Sequence, residues 1–201
     1  MRILKKKRKA MPRRKLLITS AIILTILFLT AGAQSAEIEG VVFEDSVQAG
    51  NERLTVRGTG LYRYLKFIKA YVGALYIAEG EPTENVMGDV GKRLELEYFH
   101  AIEGEDFGSA TNKVVGKNVD GQTLEKLRPR IDEQNALYRS VQPGDRYALT
   151  YLPGRGTQLT LNGEPLGRPI PGAEFAFAIF AMWLGENPMN TSFKQQLMGA
   201  Q

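Results

Sequence analysis

Hydrophobic and polar positions alternate in the first half of the chain in a way that is typical of β-strands. Runs rich in Val, Ile, Leu, Tyr and Phe, separated by Gly, Asn and Pro, predict strands at Ile38–Phe43, Leu54–Val56, Tyr64–Ile77 and Leu94–Phe99. The run Tyr64–Ile77 is longer than an ordinary strand. We therefore predict a bend or bulge within it, with Gly73 as the candidate position.

The pattern becomes helical in the second half and then returns to strands. Apolar residues recur at helical spacing after Thr123, at Leu124, Leu127, Ile131 and Leu137. Two further strands are predicted at Arg146–Leu152 and Gln158–Leu161. The segment Pro153–Gly156 between them is rich in turn formers, so this part of the chain is predicted to be a β-hairpin.

The segment Ala173–Leu184 is apolar around its whole helical circumference. Glu174 is its only charged residue. Such a helix is buried on more than one side, and its length is too short to cross a bilayer. We expect it to lie between the sheet and another layer, or over a cavity. A last short helix is predicted to begin at Asn190 or Thr191.

The first 36 residues are predicted to form a secretory signal. They contain nine basic residues and no acidic one, and the basic start is followed by an apolar core at Leu16–Leu29. The small residues in Ala31–Ala33 and at Ser35 and Ala36 favour cleavage by a signal peptidase after Ala33 or Ala36. Residues 37–201 are then one exported domain, periplasmic or secreted. The alternative is an uncleaved inner-membrane anchor formed by residues 16–33. The mass of the protein recovered from its native envelope distinguishes the two.

The charge of the chain has to be divided between this leader and the body. Overall the chain has 26 basic and 22 acidic residues, but the body carries 17 basic and 22 acidic residues, a net charge of −5. This balance argues against nucleic acid as a partner. The chain has no Cys and one His, so we expect no metal site and no cofactor.

Three stretches together resemble one known family. They are Leu61–Ile77, which contains KFIKAYVGALY, Val141–Gly163, and Pro171–Asn190, which contains WLGENP. In this order they resemble the exported bacterial branch of the chalcone isomerase-like proteins. The resemblance implies an α+β fold, an open-faced β-sandwich in which a large antiparallel sheet is covered by a helical layer. It also implies an apolar ligand cleft between the two layers.

The resemblance further implies which residues face that cleft. The plant enzymes of the family hold the substrate phenolate with an Arg, and a Thr and a Tyr polarise the ketone; fatty-acid-binding members hold a carboxylate with the Arg and a Tyr. Here Arg63 follows the Gly58–Gly60 segment at slightly different spacing, and Tyr71 stands at the Thr position. Asn112 corresponds to a cleft Asn. The ligand-contacting candidates are Arg63, Tyr71, Phe107, Ala176 and Phe180, and the catalytic candidates are Arg63, Tyr71 and Asn112.

The family hydroxyls are missing at Phe107 and Ala176, so binding is favoured over catalysis. The leading hypothesis is an exported domain that binds a small apolar or carboxylate-bearing molecule, fatty-acid-like or flavonoid-like. An isomerase acting on a chalcone-like compound and a membrane-anchored interaction protein are the alternatives. Arg63 and Tyr71 are eight residues apart, so they would share a face only in an unbroken strand. Otherwise Arg63 is a surface cation and Tyr71 a core aromatic.

Overall fold

A computed structural model describes residues 36–199, which form a large antiparallel sheet with helices on one face. The strands are β1 (Ala36–Ile38), β2 (Val41–Phe43), β3 (Ser46–Ala49), β4 (Glu52–Tyr64), β5 (Ile68–Ala78), β6 (Lys92–Tyr98), β7 (Arg146–Leu152), β8 (Gly156–Leu161) and β9 (Glu164–Ile170). The α-helices are α1 (Gly104–Val115), α2 (Gly121–Leu137), α3 (Ala173–Leu184) and α4 (Thr191–Leu197). A short 3₁₀ helix covers Thr83–Met87. The predicted leader lies outside the described residues, except for Ala36.

Seven of these strands pair in sequence order. The sheet runs from β3 to β9, every neighbouring pair is antiparallel, and β1 and β2 form a separate two-stranded sheet. This arrangement confirms the predicted α+β class with a helical layer on a large antiparallel sheet. Among residues 36–199, none of the helices is long and apolar enough to cross a lipid bilayer.

The prediction of one long strand at Tyr64–Ile77 is wrong, because the chain turns at Leu65–Phe67. The Phe67 N–H donates to the Tyr64 carbonyl across this turn, and Leu65 and Lys66 adopt positive φ angles of 49° and 68°. The turn escaped prediction because its residues are apolar or cationic and not Gly or Asn. Gly73 is not a bend, since it pairs in regular register with both neighbouring strands.

Glycines on β4 and β5 allow helix α4 to lie directly on the sheet. A Cβ atom at Gly58 would come within 2.3 Å of the Gln196 carbonyl oxygen, and one at Gly73 would come within 2.9 Å of the Phe193 ring. Both distances are shorter than real Cβ contacts allow. The Asn190 side chain caps the helix by accepting the Phe193 N–H at 2.8 Å, as one of the two predicted caps.

The main hydrophobic core lies between the sheet and the helical layer. Helix α3 contributes most of its length to this core, and Phe175 and Phe180 are fully buried. A smaller cluster around Phe43 and Tyr76 lies on the opposite face of the sheet, beneath the β1–β2 hairpin. Both clusters lie within residues 36–199, which hold an extensive hydrophobic core.

Candidate functional site

A cavity of about 450 Å³ lies between the inner face of the sheet and the helical layer. Strands β4 to β8 form its floor, and α1 and α3 form its roof. Most of the wall is apolar, with Leu94, Leu96, Leu149, Leu159 and Met182 among the buried lining residues. Its volume falls within the range of small-molecule sites. The cleft that the family resemblance implied is therefore present.

A continuous chain of aromatic rings crosses the cavity wall. Tyr62 and Tyr71 stack with ring centroids 4.6 Å apart, and Tyr71 meets Tyr98 edge-to-face at 5.5 Å. Tyr98 in turn contacts Phe107 at 5.5 Å and Tyr147 at 6.0 Å. Each ring is held by neighbouring rings on the sheet or on α1, which fixes the shape of the wall.

Tyr71 presents a fixed hydroxyl to this cavity. The indole Nε1–H of Trp183 donates to the Tyr71 hydroxyl at 3.3 Å, which leaves the phenol proton of Tyr71 free for another acceptor. Burial raises the pKa of Tyr71 well above its ordinary value of 10, although the hydrogen bond from Trp183 acts in the opposite direction. The phenol therefore stays protonated at neutral pH, and it is a hydrogen-bond donor and not a base.

Tyr98 carries a second hydroxyl on the same wall. Tyr98 stands directly opposite Tyr71 in the β5–β6 register, so the two side chains share a face of the sheet. Burial raises the pKa of Tyr98 well above 10, and the nearby phenols of Tyr71, Tyr138 and Tyr147 add to this effect. No hydrogen bond from the described residues reaches its hydroxyl. Tyr98 lines the cavity, so this hydroxyl is available to a ligand bound there.

Three further hydroxyls of the wall, those of Thr111, Tyr138 and Tyr147, are already paired within the protein. Thr111 Oγ1 and Tyr138 Oη lie 3.2 Å apart. Tyr147 Oη accepts the Arg139 backbone N–H and donates to the Arg139 carbonyl, both at 2.8 Å. Among the buried tyrosines that line the cavity, Tyr71 and Tyr98 are therefore the two whose hydroxyls remain available to a ligand.

The cavity opens to solvent beside the β4–β5 hairpin. Its exposed lining residues are Tyr64 and Ile68 on the hairpin, His100 after β6, and Asp106 on α1. The remaining lining residues are buried or half-buried. None of the lining residues in the described part of the chain is a Lys or an Arg.

The structure does not bring Arg63 to this cavity. Tyr62 pairs with Tyr71, but Arg63 pairs with Lys69, so the ladder has a bulge at this point. Arg63 directly follows Tyr62 on β4, so strand alternation turns its side chain to the opposite face, where its guanidinium lies 3.7 Å from the Glu39 carboxylate. The expected Arg63–Tyr71 pair on one face is wrong because the turn at Leu65–Phe67 puts the two residues on different strands, where Tyr71 is opposite Tyr62.

Helix α1 places Phe107 in the cavity wall and leaves Asn112 outside it. Asn112 is exposed and accepts the Asn135 side-chain N–H at 3.2 Å between α1 and α2. Thr111, four residues after Phe107, lies on the same face of the helix and lines the cavity. The helical spacing from Phe107 was the signal that could have identified Thr111.

Helix α3 contributes different residues from those predicted. Ala176 and Phe180 are fully buried in the core and do not line the cavity. Met182 and Trp183 line it instead. Met182 comes two residues after Phe180, about 200° further around the helix. Because the helix is apolar on all sides, its sequence does not indicate which face contacts the cavity.

The fold and the cavity together define a class of proteins in which a helical layer covers one face of a large antiparallel sheet and encloses an apolar, ligand-sized space. The sequence matches the family model described as chalcone isomerase-like over residues 35–199. The chain therefore belongs to the chalcone isomerase-like family.

A solved structure supports this assignment at the level of the fold. The crystal structure of a fatty-acid binding protein from Arabidopsis thaliana superimposes with a TM-score of 0.61 and 16% sequence identity, covering 83% of this chain and 96% of the Arabidopsis chain. No curated protein matches the chain by sequence.

Proposed function

We propose that the domain binds a small, mainly apolar molecule with one hydrogen-bonding end, and that a fatty acid is the best-supported class. The observation that carries the proposal is the cavity of about 450 Å³ with the unpartnered Tyr98 hydroxyl on its wall. The structurally similar Arabidopsis protein is described as fatty-acid binding, which favours the same class here.

The polar end of the ligand would bind to Tyr71 and Tyr98. Both phenols stay protonated, because burial raises the pKa of each well above 10, so both can donate to a carboxyl or carbonyl oxygen. Hydrogen bonds to an ionised acceptor are stronger than those to a neutral one, which favours a carboxylate. The isomerase alternative has less support, since Arg63 does not line the cavity. Export of the domain remains part of the proposal, on the strength of the leader sequence.

Trp183 gives a direct test, because it is the only tryptophan of the chain and lines the cavity. Its fluorescence is measured while the protein is titrated with palmitate. We expect a saturable change, and we expect Ala110→Phe to abolish it because Ala110 lines the cavity and the added ring occupies ligand space.

The matched control is Ala136→Phe, an exposed position on α2 outside the cavity lining, which should respond as the original chain does. If the Trp183 fluorescence of the unaltered chain shows no saturable change with palmitate, the fatty-acid proposal is contradicted. Equal responses from Ala110→Phe and Ala136→Phe would place the palmitate elsewhere.

A further inference from the structure

The tip of the β4–β5 hairpin carries the most exposed large apolar side chains of the described residues. Phe67 is 84% exposed and Leu65 is 67% exposed, and Tyr64 and Ile68 are about half exposed. Single exposed apolar residues are ordinary on protein surfaces, but a contiguous exposed group marks an interaction site. The hairpin tip, residues 64–68, is such a group.

The tip extends past the neighbouring strand β6. The β5–β6 ladder ends where Tyr71 pairs with Tyr98, and the last backbone bond between them joins the Phe99 N–H to the Ala70 carbonyl. Beyond Ala70 the strand ladder is formed by β4 and β5 alone. The apolar side chains of the tip therefore project from the sheet.

The backbone of the tip is unfavourable for the residues that it holds. Leu65 and Lys66 both have positive φ angles, a conformation in which Asn and Gly are the preferred residues of a tight hairpin. Neither side chain is buried, so packing does not explain why a bulky residue stands at each position. Strain of this kind persists where an external function requires the side chain.

The charge of the hairpin is opposite to that of the body. Residues 52–78 contain five basic residues and one acidic residue, whereas the body as a whole has a net charge of −5. Three of these cations, Arg63, Lys66 and Lys69, flank the apolar tip. Glu39 pairs with Arg63 and Lys69. Exposed apolar side chains surrounded by cations suit the interface of an anionic bilayer, where the cations meet the head groups.

We propose that this hairpin docks the domain on an anionic lipid bilayer. Leu65 and Phe67 enter the boundary between head groups and acyl chains, and Arg63, Lys66 and Lys69 contact the lipid phosphates. Because Tyr64 and Ile68 line the mouth of the cavity, docking brings that mouth to the membrane surface. The inference goes beyond ligand binding and does not depend on it.

The test is flotation of residues 36–201 with lipid vesicles, since this part of the chain holds both hydrophobic clusters and omits the apolar leader. One set of vesicles contains equal parts phosphatidylglycerol and phosphatidylcholine, and the other contains phosphatidylcholine alone. We expect binding to the anionic vesicles to exceed binding to the neutral ones. The double variant Leu65→Ser/Phe67→Ser should bind roughly a hundredfold more weakly, because each side chain contributes about a factor of ten.

Reversing one cation should also weaken binding. Lys66→Glu should lose roughly tenfold on the anionic vesicles and little on neutral ones. The matched controls are Val42→Ser/Phe177→Ser, which removes two exposed apolar residues elsewhere, and Lys113→Glu, which reverses an exposed cation on α1. Both controls should float as the unaltered chain does.

Circular dichroism and the palmitate titration identify any variant that has lost its fold. The altered hairpin positions are exposed, so thermal unfolding and the Trp183 response should be unchanged. Failure of the palmitate response with normal flotation would contradict the ligand proposal alone. The docking proposal is overturned if the unaltered chain floats with neither vesicle, if Leu65→Ser/Phe67→Ser floats equally well, or if the tip captures a protein while vesicles leave it unbound.

Discussion

Tyr98 and Tyr147 provide a matched pair of buried phenols with opposite expected roles. The Tyr147 hydroxyl makes two hydrogen bonds to the Arg139 backbone, and the Tyr98 hydroxyl makes none with the described residues. Tyr147→Phe leaves a backbone N–H and a carbonyl without their partner, which costs about 1–3 kcal/mol in the free energy of unfolding. Tyr98→Phe breaks no hydrogen bond among the described residues, so the free energy of unfolding should change by less than about 1 kcal/mol.

The same two substitutions should have the reverse effect on ligand binding. A hydrogen bond from Tyr98 to a bound carboxylate is worth about 1.5–3 kcal/mol, so Tyr98→Phe should raise the Kd for palmitate roughly tenfold or more. The Tyr147 hydroxyl is already hydrogen-bonded to the Arg139 backbone, so Tyr147→Phe should change the Kd for palmitate by less than about threefold.

Urea unfolding followed by circular dichroism measures stability, and the Trp183 fluorescence titration measures palmitate binding. The comparison is decisive because both substitutions remove one oxygen from a buried tyrosine in the same wall. Equal loss of stability in the two variants would show that Tyr98 has a protein partner. Unchanged palmitate affinity in Tyr98→Phe would show that its hydroxyl does not face the ligand.

Two further predictions concern charged residues outside the cavity. Lys92 is 1% exposed and donates to the carbonyls of Val86 and Gly88 at 2.8 and 2.6 Å, and burial lowers its pKa from 10.5 to about 8. Between pH 8 and pH 10.5 the unfolded chain binds more protons at Lys92 than the folded chain does. The free energy of unfolding of the unaltered chain should therefore rise by about 2–3 kcal/mol from pH 7 to pH 10, compared with the change measured for Lys92→Met over the same range. Parallel urea-unfolding curves for the two chains across this pH range would contradict the lowered pKa. Arg63→Ala should change the Kd for palmitate by less than about twofold, because Arg63 lies outside the cavity, and a tenfold loss by fluorescence titration would place it at the ligand after all.

The parts of the fold with strong local signals could be predicted from the sequence. Helix α3 begins and ends at the predicted residues, Ala173 and Leu184, because a twelve-residue segment with Glu174 as its one charged residue is bounded by Gly on both sides. The hairpin of β7 and β8 follows from its Pro-Gly-rich turn. The turn at Leu65–Phe67 carries no such signal, so two strands were predicted as one.

The candidate site was predictable only where sequence spacing determines the face of an element. Tyr71 and Phe107, which were expected at the cleft, both line the cavity. Tyr98 could have been found from the alternation of Leu94, Leu96 and Tyr98, three residues that all line the cavity. The placement of Arg63 could not be predicted, because it depends on the turn at Leu65–Phe67, which the residue types there do not signal.

The bulge in the β4–β5 ladder affects which side chains of β5 face the cavity. Ala70 is the extra residue, and both Ala70 and Tyr71 line the cavity while Lys69 and Arg63 meet Glu39 on the other side. One inserted residue thus turns Lys69 to the face opposite Tyr71, although the two are only two residues apart. The described residues place neutral phenols and no Lys or Arg in the cavity wall, so the proposed ligand would be held without an ion pair. Arg63 and Lys69 share the single carboxylate of Glu39, so together with Lys66 they keep the region of the tip positive, which suits the proposed docking on an anionic membrane.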